Sequence, residues 1–432
     1  MRWQVFALAC GASFLLYLHR YTWNIVGPKL QADFEFTNTQ AGLLFSLFYY
    51  SYAIGQVPSG VFVDRFGARA FLSVIIFLWS AALAAIGRTS DLTILCVCRL
   101  LFGAAQAGCY PALNKVTRTW FPIAQRTVLQ GWIATTSGRS GGALAPIVLG
   151  SVLMGWCGLS WRTALGVLGI AGITYSIIFW RLFRDAPAEH PGVDAAERAL
   201  IEAGATGPVS ATRAVLPAGR AWRSRSLRFF VFQQFLDAGS DIAFVSLIGT
   251  YFLRARGFDI AKTGWLASLP LWGGALGGIA GGWLNDRLIA RTGTRRWSRS
   301  GVGFVGKAIG CLMLALVVRP ADGLTAALVL FAAKFFSDWS QPTVWGACTD
   351  LGGRYSATVF SLVNFAGTLG GVVMPVIFGA VLDVFTTRSG NVVTTDWGPL
   401  FLLLAAMYLG SGLCWLAVDC TRSLDIHDDA SL

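Results

Sequence analysis

Arg20, Arg99 and Arg139 each stand inside an apolar run in the first half of the chain, with no acid beside them in those runs. A guanidinium in hydrocarbon is costly without a partner, so such residues mark either function or a structural bond. The partner that suits a guanidinium is a carboxylate, which it grips through two parallel hydrogen bonds. Tyr17 lies three residues before Arg20 on the same helical face and adds a phenol donor. Together they would hold a carboxylate or hydroxy acid; otherwise Arg20 bonds to helix carbonyls. Arg99 either joins this site or snorkels toward the outer end of its span. Arg139, between Gly138 and Ser140, is a second carboxylate anchor or a packing contact. His19 sits ~100° around the helix from Arg20. Histidine changes charge near neutrality, so His19 gates, carries a proton, or donates a hydrogen bond.

The second half is arranged differently. Asp237 and Asp241 are four residues apart on one helical face, as are Lys334 and Asp338, and Lys307 stands alone. Two carboxylates so close cannot both ionise cheaply in a low dielectric, so the Asp237–Asp241 pair is a candidate site for a shared coupling proton. Neutralisation by Lys307 or Lys334 is the alternative. Lys334 and Asp338 are expected to form a local ion pair.

These residues need elements that span a membrane. Of 432 residues, 55% are apolar and 13% charged, against about 25% charged in soluble domains. Twelve apolar stretches, near residues 4–27, 40–62, 70–87, 92–113, 128–152, 163–181, 229–253, 263–284, 301–318, 323–347, 356–382 and 397–418, are each close to the length of a membrane helix. Of the 34 Lys and Arg, 21 fall on the side of the amino terminus, 8 on the other and 5 within spans. The positive-inside rule then places both termini in the cytoplasm. The net charge of +12 is thereby spent on orientation, and no nucleic-acid partner is expected. Nine cysteines lie mostly in apolar runs without zinc-ligand spacing, and no cofactor or metal is expected.

The chain repeats itself. Gly60 to Arg65 carries Gly-x-x-x-Asp64-Arg65, and Gly282 to Arg287 carries Gly-x-x-x-Asp286-Arg287, 222 residues later. Gly138, Gly141, Gly142, Pro146 and Gly150 have the same spacings as Gly367, Gly370, Gly371, Pro375 and Gly379. Matching landmarks in two halves are the mark of a transporter built from repeats. The expected architecture is an all-α membrane protein with twelve transmembrane helices in two pseudo-symmetric six-helix bundles. These are residues 1–181 and 229–418, joined by a cytoplasmic linker at 182–228 and followed by a short, disordered tail at 419–432. Residues 194–202 of the linker have the pattern of a short amphipathic helix. Each Asp-Arg motif is expected in a short cytoplasmic connection, where its charges latch neighbouring helices.

The duplicated motif and the 6 + 6 plan resemble the major facilitator superfamily. Tyr17-Leu-His-Arg20, Tyr52-Ala-Ile-Gly-Gln-Val-Pro-Ser-Gly60, the run from Arg99 to Pro111, Trp161-Arg162 and the pattern from Asn364 to Pro375 resemble its organic anion:cation symporter branch. That branch handles sugar acids, hexuronates and aromatic acids. The resemblance implies that Tyr52 and Asn364 contact substrate, whereas composition alone would let them hold helices together. Trp345 and Gln341 are amphipathic residues on the same expected cavity helices. The branch carries proton-accepting acids where this chain has His19 and Gln106, so its usual coupling scheme does not transfer directly.

The sequence therefore points to a secondary transporter, expected to be a monomer in a cell membrane, that moves a small organic anion by alternating access with a proton or other coupling ion. Its site is expected near the bilayer midplane. A proton-coupled multidrug-type exporter would prefer an acidic cavity, which the first half lacks. A non-transporting membrane sensor is the third reading. No nucleophile–base constellation suggests an enzyme.

Overall fold

Backbone groups in hydrocarbon have no water to bond, so each apolar run closes its own hydrogen bonds as a helix. The computed structural model describes residues 1–122, 125, 129–202, 223–318, 322–389 and 392–424. Among these, six helices are long and apolar enough to cross a membrane alone, and a seventh span is Arg225–Ser246 joined through a 41° bend to Ile248–Ala255. Several spans of the twelve-helix fold are interrupted by breaks.

The breaks have local causes. Span one is Arg2–Arg20 followed by Trp23–Asp33, and span four is Leu92–Ala107 followed by Cys109–Trp120. Span ten is Gly323–Ser337 followed by Ser340–Gly352. Pro111 and Pro342 each lie just beyond such a break, and Pro28 lies within Trp23–Asp33. Pro111 and Pro342 lack the N–H that would have bonded back to residues 107 and 338 at the joint. Span five contains two π-helical segments, Trp132–Ser137 and Ile147–Trp156, around Gly138–Pro146. Wide turns of this kind leave helix surfaces irregular, and they are frequent at functional sites.

Spans two and three lie within Asn38–Ile86 and are two helices joined at a kink, where Gly67 is non-helical (φ 80°, ψ 161°). Only glycine adopts this conformation without strain, and Asp185 accepts the Arg69 backbone N–H at 3.0 Å just beyond it. The Asp64-Arg65 motif thus stands directly before the joint at Gly67, and Asp286-Arg287 lies within Ile260–Thr292. The first motif thus meets a short joint between two helices, and the second lies on a helix that runs on past it to Thr292.

The residues cluster into two compact units. The first comprises Met1–Glu35, Leu43–Ala211 and Asp259–Trp265; the second comprises Phe36–Gly42, Thr212–Phe258 and Leu266–Leu432. In the first, the glycine pattern of span five lets it touch span one. A Cβ on Gly141 would fall 2.2 Å from the Phe14 carbonyl oxygen. In the second, a Cβ on the matching Gly370 would fall 2.7 Å from the Phe235 carbonyl oxygen of span seven, Arg225–Ala255. Duplicated glycines make the same close approach in both units.

The linker folds back on the first unit. The Trp120 indole N–H donates to the Arg184 carbonyl, and the expected amphipathic helix is Ala195–Glu202. Residues 203–222 lie outside the described residues. The tail departs from expectation. Cys420 and Leu424 are buried, and the Leu424 N–H donates to the Leu351 carbonyl at 2.9 Å. Apolar Leu424 binds the chain to the core of the second unit before its acidic end begins.

Candidate functional site

Span one breaks immediately after Arg20, and the Thr22 hydroxyl bonds the His19 carbonyl at 2.7 Å across the joint. The Arg20 guanidinium leaves the helix there and enters a cage of aromatic rings. Its carbon lies 5.1 Å from the Tyr17 ring centre, 4.9 Å from Phe48 and 4.8 Å from Tyr52. Arg20 Nε donates to Gln106 Oε1 at 3.0 Å, and Gln106 Nε2 donates to the Leu16 carbonyl. Gln106 is therefore a neutral prop, fixed by span one, where an acid would have been a counter-ion. Arg20 Nη2 is buried with no acceptor in hydrogen-bonding geometry among the described residues. A buried donor without an acceptor carries its full desolvation cost, and the Tyr52 side chain is the other polar group in reach of this guanidinium.

Tyrosines extend the cage. Tyr17 packs against Tyr21 and Tyr110, and Tyr110 shares a 3.0 Å hydrogen bond with Ser13. Gly138 leaves them room, for a Cβ there would fall 3.0 Å from the Tyr110 hydroxyl and 3.0 Å from the Tyr17 ring. Half-buried Arg139 follows directly in the chain. Sequence reasoning missed Phe48 and Tyr110. The spacing of Phe48 four residues before Tyr52 was the signal for the first.

Arg99 does not snorkel. It is buried, with Nε donating to the Leu44 carbonyl at 3.3 Å and Nη2 to the Phe45 carbonyl at 3.0 Å. Its guanidinium stacks 4.4 Å from Trp23. Aromatic faces and mid-helix carbonyls hold it as a brace between spans two and four. His19 is fully buried against span six, where a Cβ on Gly172 would meet its ring at 2.7 Å and Ser80 at 2.1 Å. It faces the helix packing rather than the Arg20 cage.

The charges of the second unit form a closed network. Lys307 Nζ bonds Asp237 and, at 2.6 Å, the Ser337 hydroxyl; both charged groups are fully buried. Asp237 also accepts from Gln341 at 3.1 Å and Gln233 at 3.4 Å. Lys334 Nζ lies 2.6 Å from Asp241 and 2.5 Å from Asp338. The expected Asp237–Asp241 dyad is thus resolved into separate lysine partnerships, and the Lys334–Asp338 pair is present. Asn364 and Trp345 belong to this unit and are exposed, with the Trp345 ring 4.5 Å from that of Phe360 and tilted against it by 32°.

Arg65, Asp286 and Arg287 are exposed, and none is ion-paired among the described residues. Arg65 and Arg287 lie over Phe66 and Trp283, and Asp286 accepts from Asn285 at 3.4 Å. The Asp64 side chain lies outside the described ones. The expected latch is not formed by the described members.

A sequence profile described as Major Facilitator Superfamily matches residues 9–375. A probable sulfoacetate transporter of Cupriavidus necator is 31% identical over 390 residues, covering 90% of this chain and 88% of its own length. A probable galactarate/D-glucarate transporter of Bacillus subtilis is 26% identical, covering 95% and 92%. A crystal structure of a bacterial homolog of the human lysosomal transporter Spinster, inward-facing and unoccupied, superposes with a TM-score of 0.72 at 17% identity over 96% of this chain and 94% of its own. At that identity the likeness concerns the fold.

Proposed function

Because the chain belongs to the Major Facilitator Superfamily, a family of transporters, we propose that it moves a small organic anion across a cell membrane by alternating access, with Arg20 as the anion's anchor. The observation that carries this is the state of Arg20. Its Nε is fixed by neutral Gln106, its flat faces are covered by Tyr17, Phe48 and Tyr52, and Nη2 lacks an acceptor. A carboxylate or sulfonate oxygen supplies that acceptor and the missing negative charge. Tyr17, Tyr52 and Tyr110 offer hydroxyl groups for the rest of a hydroxylated or doubly charged ligand, and Arg139, beside Gly138, is the second cation for such a ligand.

Relatives named as sulfoacetate, galactarate/D-glucarate and hexuronate transporters support a compact organic acid as the substrate class. Arg99 is left to structure, since its donors are already engaged. The distribution of Lys and Arg supports cytoplasmic termini. The protein acts as a monomer coupled to a proton or another cation, and exposed Arg65, Asp286 and Arg287 are available to latch helices in another state. The test is counterflow of labelled sulfoacetate, D-glucarate and glucose in proteoliposomes. Exchange of either acid but not glucose is expected, and loss of it in Arg20→Gln. Exchange of neither acid, with stabilisation of the purified protein by cationic compounds, would overturn the reading.

A further inference from the structure

Among the described residues of the first unit no carboxylate pairs with Arg20, so the coupling charge is sought elsewhere. In the second unit three aspartates meet two lysines within spans seven, nine and ten. Two of these charges are settled. Asp237 receives Lys307 and two amide donors, and Lys307 receives Ser337 and lies 4.7 Å from the Tyr408 ring centre. That pair is neutral and sealed from water. What remains is Lys334 shared by Asp241 and Asp338, one positive charge against two negative. A surplus charge in the interior of a span is expensive.

The two carboxylates are not equivalent. The Asp338 side chain is 2% exposed and the Asp241 side chain 29% exposed, so Asp241 is the one that can exchange with water. Among the described residues, the charged and titratable groups gathered here come from four spans. Span seven brings Asp237 and Asp241, span nine Lys307, span ten Lys334 and Asp338, and span twelve Tyr408. Span eight brings Gly274, whose Cβ would stand 2.5 Å from Asp338 Oδ2, and span eleven meets span seven through Gly370 and Met374. Asp338 is itself the residue at which span ten breaks. A change in its partners therefore acts on a helix joint.

We propose that Asp241 carries the coupling proton of this transporter, binding one proton from water on one side of the membrane and returning it on the other. This rests on the anion-transport reading above. Protonation turns the Asp241 carboxylate into a neutral acid and leaves Lys334 and Asp338 as a neutral pair. The bond that ties span seven to span ten loses its charge. Release of the proton restores it.

The test uses the full chain in lipid. Infrared difference spectra across a pH titration should show a protonated-carboxyl stretch, sensitive to deuterium, that is absent in Asp241→Asn. In proteoliposomes, accumulation of labelled sulfoacetate driven by a pH gradient, divided by its counterflow, should fall about tenfold or more in Asp241→Asn, since counterflow needs no net proton movement. If Asp241→Asn does not fold, Asp241→Glu should shift the midpoint of the infrared titration. A band that persists unchanged in Asp241→Asn, or an unmoved midpoint in Asp241→Glu, would overturn the assignment. So would accumulation driven by a sodium gradient at constant pH with no carboxyl band. Absence of any sulfoacetate exchange in the unmodified protein would count against the substrate reading alone, and the infrared arm would still decide the proton site.

Discussion

The two units treat buried charge in opposite ways. Among the described residues, the membrane interior of the first holds arginines and no carboxylate, and Arg20 Nη2 is without an acceptor there; in the second, every buried lysine has a carboxylate within 2.6 Å. The contrast between Arg20 and Arg99 repeats this on a smaller scale. Both guanidinium groups are stacked by aromatic rings, yet only Arg99 has carbonyl acceptors for two of its nitrogens. A charge completed by the fold serves structure, and a charge left incomplete is free to serve a ligand.

That contrast can be broken by substitution. The largest effect is expected from Lys307→Met, which strands Asp237 as a buried, unpaired charge; the loss is about 3–5 kcal/mol. Thermal unfolding in detergent should show it, and Lys307→Met with Asp237→Leu should recover most of it. Arg99→Met removes two charge-assisted bonds and should cost about 1.5–3 kcal/mol, read as a lowered Tm, while Arg20→Gln should stay within about 1 kcal/mol of the parent. Equal losses for the two arginines would erase the distinction between them.

Smaller effects are expected away from both charge sites. Gly67→Ala forces φ near 80° on an alanine and brings a Cβ to 2.7 Å from Asp185, a cost of about 1–3 kcal/mol measurable by thermal unfolding. Glu197 ties the linker helix to the start of the chain. The Arg2 backbone N–H, donating at 2.9 Å, is the main reason its carboxyl sits below the ordinary range. The folded value is depressed, so the stabilisation is complete above the ordinary carboxylate value and is lost as pH falls through the depressed one. Glu197→Gln should therefore cost under about 1 kcal/mol near neutrality, and the difference from the parent should vanish in acid.

Much of this was legible in the sequence because it rests on spacing within one helix. Apolar run lengths mark the spans, the duplicated glycines mark where spans five and eleven meet their neighbours, and Tyr17 three residues before Arg20 marks the cage. What was hidden depends on which helices face each other. Asp237 and Asp241 look like a dyad by spacing, but Lys307 and Lys334 arrive from other spans and divide them. Arg99 finds its carbonyls on span two, 54 and 55 residues away. Asp185, which accepts the Arg69 N–H beyond the Gly67 turn, lies 116 residues from it in the chain. The helix breaks next to Gln106 and Asp338 had a sign in Pro111 and Pro342 just beyond them.

The most direct test of the central claim is calorimetric titration of sulfoacetate into the purified protein and into Arg20→Gln. Removing the charged partner should weaken binding by about 2–5 kcal/mol, which takes the variant out of the measurable range or close to it. Binding by the parent with an unchanged Kd in Arg20→Gln would show that the anion is held elsewhere, and Arg20 would lose its role.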